Sequence, residues 1–99
     1  MMTKFDDAYA IFDTHLSIVA SYFQVDKSKV FTCNEEDYVN ARYCLIYMMC
    51  DKYNDSDIAK VSRLSKSCVN KIRNNTKFKL KDYSFNKSFK NIQNLLLLK

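Results

Sequence analysis

The chain contains no glycine and no proline among its 99 residues. Strands and hairpin turns depend heavily on these two residues, so their absence favours helices joined by short Asn, Asp and Ser turns. The hydrophobic fraction of 47% is also too high for a disordered chain. We therefore expect a single all-α domain over residues 1–99, folded as a compact bundle of five to six helices.

Apolar residues recur at helical spacing along most of the sequence. Asp26, Asn54, Ser65 and Ser84 occupy positions where the side chain of an N-cap residue is expected. Residues 76–83 alternate lysine with apolar residues and are interpreted as a linker. The pattern predicts helices over 5–24, 26–31, 35–52, 55–64, 66–75 and 84–97.

Two of these helices have a distinctive apolar pattern. The helix over 35–52 is apolar almost all round, which predicts a central position with Met48 and Met49 filling the core. In the last helix, Leu97 and Leu98 are expected to be partly exposed. Its inner face is expected to consist of Phe85, Phe89, Ile92, Leu95 and Leu96.

Charge is divided unevenly between the two halves of the sequence. Residues 1–50 carry four basic and seven acidic side chains, a net charge of −3. Residues 51–99 carry twelve basic and four acidic side chains, a net charge of +8, and the two halves add up to +5. This asymmetry indicates an anionic partner for the second half, whereas the simpler interpretation is a solvated lysine face.

The residues that usually carry catalysis or bind metal are scattered. The only histidine, His15, lies on the apolar face of the first helix, where a core or boundary role is expected. The cysteines form no CxxC pair, so we expect no metal site, no cofactor and no enzymatic activity. The cysteines are Cys33, Cys44, Cys50 and Cys68.

The sequence also indicates a cellular location. The N-terminus holds several aspartates and lacks the basic start and apolar run of a signal peptide. The longest apolar runs, at 44–50 and 95–98, are too short to cross a bilayer. We therefore expect a cytoplasmic protein with reduced thiols and no membrane partner.

Residues 55–75 contain two short apolar patterns separated by a polar gap. Ile58 and Val61 belong to the first pattern, and Val69 and Ile72 resume the spacing after the gap. Two short helices with a turn of about three residues make a helix-turn-helix, in which the second helix enters the major groove of DNA.

The second of these helices has a polar face suited to reading bases. Ser67, Asn70, Lys71 and Asn74 are three and four residues apart and therefore share one side of the helix. An asparagine amide pairs bidentately with adenine, and a lysine donates to guanine. We expect Ser67, Asn70 and Lys71 to face base edges.

Several motifs in this sequence occur in the order and spacing of one known family. Residues 19–25 read VASYFQV, Ala41-Arg42 lies near the start of the long helix, and Ser67 and Val69 lie at the start of the proposed recognition helix. The segment 18–72 thereby resembles the C-terminal DNA-binding domain of the bacterial replication initiator DnaA, a Trp-repressor-like helix-turn-helix domain. The resemblance implies double-stranded DNA binding in replication or transcription regulation, inside a bacterial or phage-infected bacterial cell.

The sequence departs from the family at three places. Ser65 and Lys66 replace the Asp and His of the family signature, and Arg63 replaces the glycine of its turn. Arg63 must therefore adopt an uncommon backbone conformation, at a cost of about 1 kcal/mol, or use a different turn. The acidic segment 34–37 replaces a basic loop.

The expected DNA contacts are of two kinds. Arg42 is a phosphate ligand implied by the resemblance, and Arg63 and Arg73 are phosphate ligands expected from position and charge. The alternative is a protein–protein interaction module that uses the acidic loop at 35–37 or the C-terminal leucines. The complete set of expected DNA-binding residues is Arg42, Arg63, Ser65, Lys66, Ser67, Asn70, Lys71, Arg73 and Asn74.

Overall fold

A computed structural model describes residues 4–97, with side chains from Asp7 onward, and these residues form helices and no strand. The all-α bundle expected from the sequence is confirmed. Its radius of gyration is 12.7 Å, close to the value of about 13 Å typical of a 100-residue domain. The elements are α1 (Lys4–Phe23), a 3₁₀ helix (Lys27–Lys29), α2 (Glu36–Met49), α3 (Asp55–Ser62), α4 (Lys66–Lys79) and α5 (Tyr83–Leu97).

Helix α2 is the central helix, as its apolar sequence predicts, and it packs against both α1 and α4. Met48 and Met49 are buried and fill the core between the helices. The helix ends at Met49, three residues before the predicted end at residue 52. Its buried side chains are Ala41, Cys44, Leu45, Ile46, Met48 and Met49.

Helix α1 ends in a left-handed residue that is not glycine. Gln24 has a φ of 56°, and the backbone N–H of Val25 donates to the carbonyl of Ala20 at 2.9 Å. This bond satisfies a carbonyl of the last helical turn, as in helix ends closed by glycine. Asp26 then caps the 3₁₀ helix by accepting from the backbone N–H of Ser28, which confirms it as an N-cap.

The prediction of a linker over 76–83 is wrong, because α4 continues as a helix to Lys79. Thr76 is fully buried, and its hydroxyl donates to the carbonyl of Ile72 at 2.7 Å. The ammonium of Lys79 donates to Asn40 Oδ1 at 3.2 Å and lies 5.5 Å from the centre of the Tyr43 ring. Tertiary packing therefore extends the helix through a segment whose alternating pattern looked extended.

The start and end of α5 also differ from the prediction. The helix begins at Tyr83, where Asp82 Oδ2 accepts from the backbone N–H of Phe85, so Asp82 and not Ser84 caps it. Phe85, Phe89 and Ile92 are buried as expected. Leu95 is 43% exposed, so its place on the inner face is wrong, and Leu97 is 82% exposed. Leu98 lies outside the described residues.

Candidate nucleic-acid interface

Helix α3 and the turn that follows it are held by short-range hydrogen bonds. Asn54 Oδ1 accepts from the backbone N–H of Asp57 at 2.9 Å, which confirms Asn54 as the N-cap. Ile58 and Val61 face the core. The hydroxyl of Ser62 donates to the carbonyl of Ile58 at 2.7 Å and accepts from the backbone N–H of Leu64 at 3.3 Å. This hydroxyl therefore links the last turn of α3 to the connection with α4.

The connection between α3 and α4 consists of Arg63, Leu64 and Ser65. Arg63 is exposed, and its backbone has the left-handed conformation, with φ 62° and ψ 20°. Of the two possibilities expected from the sequence, the structure therefore has the uncommon backbone conformation and not a different turn. Ser65 Oγ accepts from the backbone N–H of Cys68 at 3.0 Å, which confirms Ser65 as the N-cap of α4. No acidic residue occupies the first turn of α4. The N-terminal end of the helix dipole is therefore not neutralised from within its own first turn.

Helix α4 presents an exposed polar surface above a buried apolar one. Val69 and Ile72 are buried against the core. On the opposite side Ser67, Asn70, Lys71 and Asn74 are all exposed, and we call these four residues the α4 stripe. The helix is thus fixed by its apolar side while the stripe faces solvent.

Two asparagines of the α4 stripe are linked to each other and to α3. Asn74 Nδ2 donates to Asn70 Oδ1 at 3.1 Å, and Asn70 Nδ2 donates to Asp55 Oδ2 at 3.4 Å. Asp55, Lys66, Ser67 and Asn70 line a shallow concavity of about 330 Å³ at this end of the helix. These two hydrogen bonds orient both amides.

Arg73 lies on the side of α4 that faces α3. Its Nη1 is 2.6 Å from Asp55 Oδ1, in an ion pair whose side chains are only 32% and 13% exposed. Nothing in the local sequence indicates this pair, because the two residues belong to different helices and lie 18 positions apart. Asp55 is therefore an anchoring residue that sequence reasoning missed.

Arg42 is also engaged within the chain. Its Nε donates to the carbonyl of Val30 at 2.9 Å, and its Nη2 donates to the carbonyl of Cys33 at 2.6 Å. The half-buried guanidinium thus ties the segment before α2 to the helix itself. Arg42 and Arg73 are both held by contacts within the protein, and a phosphate contact by either arginine stays a prediction.

Burial shifts the pKa values of three further titratable groups. Burial, with a smaller contribution from the charge of Lys52, lowers the pKa of His15. Burial raises the pKa of the Cys44 thiol to about 12 and also raises the pKa of Cys50. Within the described part of the chain, no three His, Cys, Asp or Glu residues are grouped so that they could hold a metal ion.

No protein-family model, curated protein or solved structure matches the chain. Among the residues that the structure describes, no helix has the length and apolar character needed to cross a membrane.

Proposed function

We propose that this protein binds double-stranded DNA, with α4 lying in the major groove and the α4 stripe facing the base edges. The observation that carries the proposal is the division of α4 into a buried side and an exposed side. Val69 and Ile72 fix the helix against the core, while Ser67, Asn70, Lys71 and Asn74 face solvent. Preorganised polar groups on a rigid helix suit base reading, because little conformational entropy is lost on binding.

The dimensions of the α4 stripe fit this role. A helical rise of about 1.5 Å per residue separates Ser67 from Asn74 by about 10 Å along the axis. That distance corresponds to roughly three base pairs at about 3.4 Å each. The major groove is about 12 Å wide and accommodates one helix. The stripe therefore presents amide, hydroxyl and ammonium groups over the length of a short recognition site.

Phosphate contacts are proposed for residues of the turn before α4 and for the first residue of α4. Arg63 and Lys66 are exposed, and Ser65 is exposed between them. The backbone N–H groups and the dipole at the start of α4 favour phosphate at the same place. The uneven charge of the sequence, with a net +8 over residues 51–99, supports an anionic partner. A role in replication or transcription regulation is proposed on the resemblance to the DnaA family.

The proposal is tested first by selecting preferred sites from a random duplex pool and then measuring the affinity of Asn70→Ala. Loss of a bidentate base contact is expected to cost ~1–3 kcal/mol at the selected site and little on arbitrary duplex. The matched control is Asn94→Ala, since Asn94 is an exposed asparagine on α5. Equal losses on both kinds of DNA would show that Asn70 does not specify sequence.

Salt dependence tests the phosphate contacts. If about three phosphates are neutralised, log K should fall with log salt at a slope of roughly −3. The double change Arg63→Ala and Lys66→Ala is expected to make that slope less steep by about two units. The matched control changes Lys87 and Lys90, two exposed lysines of α5, to Ala. A wild-type protein that binds no duplex even at low salt would end the proposal.

The second candidate function is protein binding, which two exposed surfaces favour. Glu35, Glu36 and Asp37 are exposed at the start of α2, and Leu95 and Leu97 are exposed at the end of α5. When solvent-exposed apolar side chains lie together, they are typical of a surface that binds a partner protein. This function replaces DNA binding if the duplex experiments fail.

A further inference from the structure

The exposed side of α4 extends beyond the α4 stripe. Lys77 and Phe78 continue the same spacing of three and four residues, Lys81 follows in the turn just past the end of α4, and all three side chains are exposed. We call these three residues the Phe78 patch. The Phe78 ring is 67% exposed, and Lys81 Nζ lies 5.0 Å from its centre. An aromatic ring flanked by lysines thus stands at the C-terminal end of α4.

The Phe78 patch lies too far along the helix to share the groove used by the α4 stripe. The helical rise places Phe78 about 16 Å beyond Ser67 along the axis. The major groove is only about 12 Å wide, so a helix that enters it by its first turns carries Phe78 outside the groove. The patch therefore needs a different ligand from base edges in a duplex.

The chemistry of the patch fits an unpaired base next to a phosphate. Bases stack on exposed aromatic rings in proteins that bind single strands, and lysines along the strand neutralise its backbone. Lys77 and Lys81 supply that charge, while Asp82 already accepts the backbone N–H of Phe85 as the cap of α5. The ring of Tyr83, 77% exposed just past the same turn, offers a second surface for stacking.

We propose that the Phe78 patch is a separate binding site for single-stranded DNA, in which Phe78 stacks on an unpaired base and Lys77 and Lys81 contact the adjacent phosphates. An exposed phenylalanine alone is common on protein surfaces. Phe78 differs because Lys77 precedes it, Lys81 lies near its ring, and α4 itself contains no acidic residue. The site is independent of base reading by the α4 stripe, so either function can exist without the other.

The first experiment uses the absence of tryptophan from the chain. Phe78→Trp introduces the only indole, whose fluorescence is expected to be quenched when a base stacks on it. The probe is oligo(dT) of about 12 nucleotides, a length within the usual site sizes for single strands. A parallel Leu97→Trp variant places the indole at another exposed apolar position and should respond little. Equal responses, or none at Phe78, would overturn the proposal.

The second experiment measures affinity for labelled oligo(dT) by fluorescence anisotropy. Phe78→Leu keeps an apolar side chain but removes the aromatic face, and is expected to weaken binding by roughly 5- to 150-fold. Phe78→Tyr should retain most of the affinity. Thermal unfolding of each variant checks the fold, which an exposed residue should affect little. If Phe78→Leu binds oligo(dT) as the wild type does, or if the wild type does not bind it, the proposal is wrong.

Two further arms separate this site from the proposed duplex site and from RNA binding. Phe78→Leu should leave duplex affinity within about twofold, whereas Asn70→Ala should leave oligo(dT) affinity unchanged. If either variant lost affinity for both the duplex and oligo(dT), the two surfaces would form one site, and the proposal of a separate site would be wrong. Oligo(U) of the same length should bind no more tightly than oligo(dT), and a clear preference for oligo(U) would overturn the assignment to DNA.

Discussion

Arg73 on α4 and Asp55 at the first position of α3 form an ion pair with 2.6 Å between nitrogen and oxygen. The same carboxylate accepts a hydrogen bond from Asn70 at 3.4 Å. One acid therefore fixes the position of α3 relative to α4 and the orientation of an amide in the proposed interface. It also partly neutralises the charge of Arg73.

Asp55→Asn should reduce stability and strengthen phosphate binding together. The pair is neither fully exposed nor fully buried, so its loss is expected to lower the free energy of unfolding by about 1–2 kcal/mol. The freed Arg73 should make the salt slope of duplex binding steeper by about one unit. Denaturant unfolding and binding titrations at several salt concentrations measure the two effects. Asp51→Asn, which changes the net charge equally at an exposed position, is the control.

Arg63→Gly should stabilise the protein. A left-handed conformation costs a residue with a Cβ about 1–2 kcal/mol, and the extra freedom of glycine when unfolded offsets about half of the gain. The expected increase is about 0.5–1 kcal/mol, seen as a melting temperature raised by roughly 2–8 °C. Lys60→Gly, at an exposed helical position of α3, should instead destabilise. A lower melting temperature for Arg63→Gly would mean that its side chain contributes contacts worth more than the strain.

Stability should fall on mild acidification because of His15. Burial lowers the pKa of His15 below its ordinary 6.5, so the unfolded chain takes up the proton more readily than the folded one. The free energy of unfolding is therefore highest well above pH ~6.5, where His15 is neutral in both states. It decreases as the pH falls below that value and stops changing once the pH is below the pKa of His15 in the folded protein. Melting temperatures between pH ~5 and 7.5 measure it, and His15→Gln should remove this pH dependence. Its persistence in the variant would assign it to another group.

Arg42 should prove to be a structural residue. Arg42→Ala removes two hydrogen bonds to carbonyls and is expected to lower the free energy of unfolding by about 2–3 kcal/mol. Arg42→Lys should recover only part of this, because an ammonium does not reproduce the planar fork of donors. The salt slope of duplex binding should not change. Lys29→Ala, at a nearby exposed position, is the control for charge, and a less steep slope for Arg42→Ala alone would restore Arg42 as a phosphate ligand.

Local sequence signals predicted the centre of the candidate site well. Asn54 and Ser65 were identified as caps because a cap bonds to a backbone N–H only a few residues away, within the range that sequence spacing describes. Val69 and Ile72 continue the apolar spacing of the sequence and are buried, because helical periodicity alone determines which side of the helix they occupy.

The errors arose where a distant contact decides the structure. Lys79 reaches Asn40 and the Tyr43 ring, and nothing near Lys79 in the sequence indicates either partner. The prediction of a linker over 76–83 is wrong for that reason. The same error assigned Phe78 to a linker, whereas it lies at the end of α4. Leu95 fits the periodicity of the inner face but remains 43% exposed. Periodicity describes a helix face and not how far the neighbouring helices extend.

The eight-residue length of α3 limits how the proposed DNA-binding segment can be isolated. Helices shorter than about 12–15 residues are marginal in water on their own. Helix α3 therefore depends on the packing of Ile58 and Val61, and a synthetic peptide covering 54–79 should lose the α3 helix and with it the orientation of α4. The proposed recognition surface therefore cannot be transferred to another protein by itself. The buried side chains of α1 and α2 that pack against α3 and α4 would have to be transferred with it.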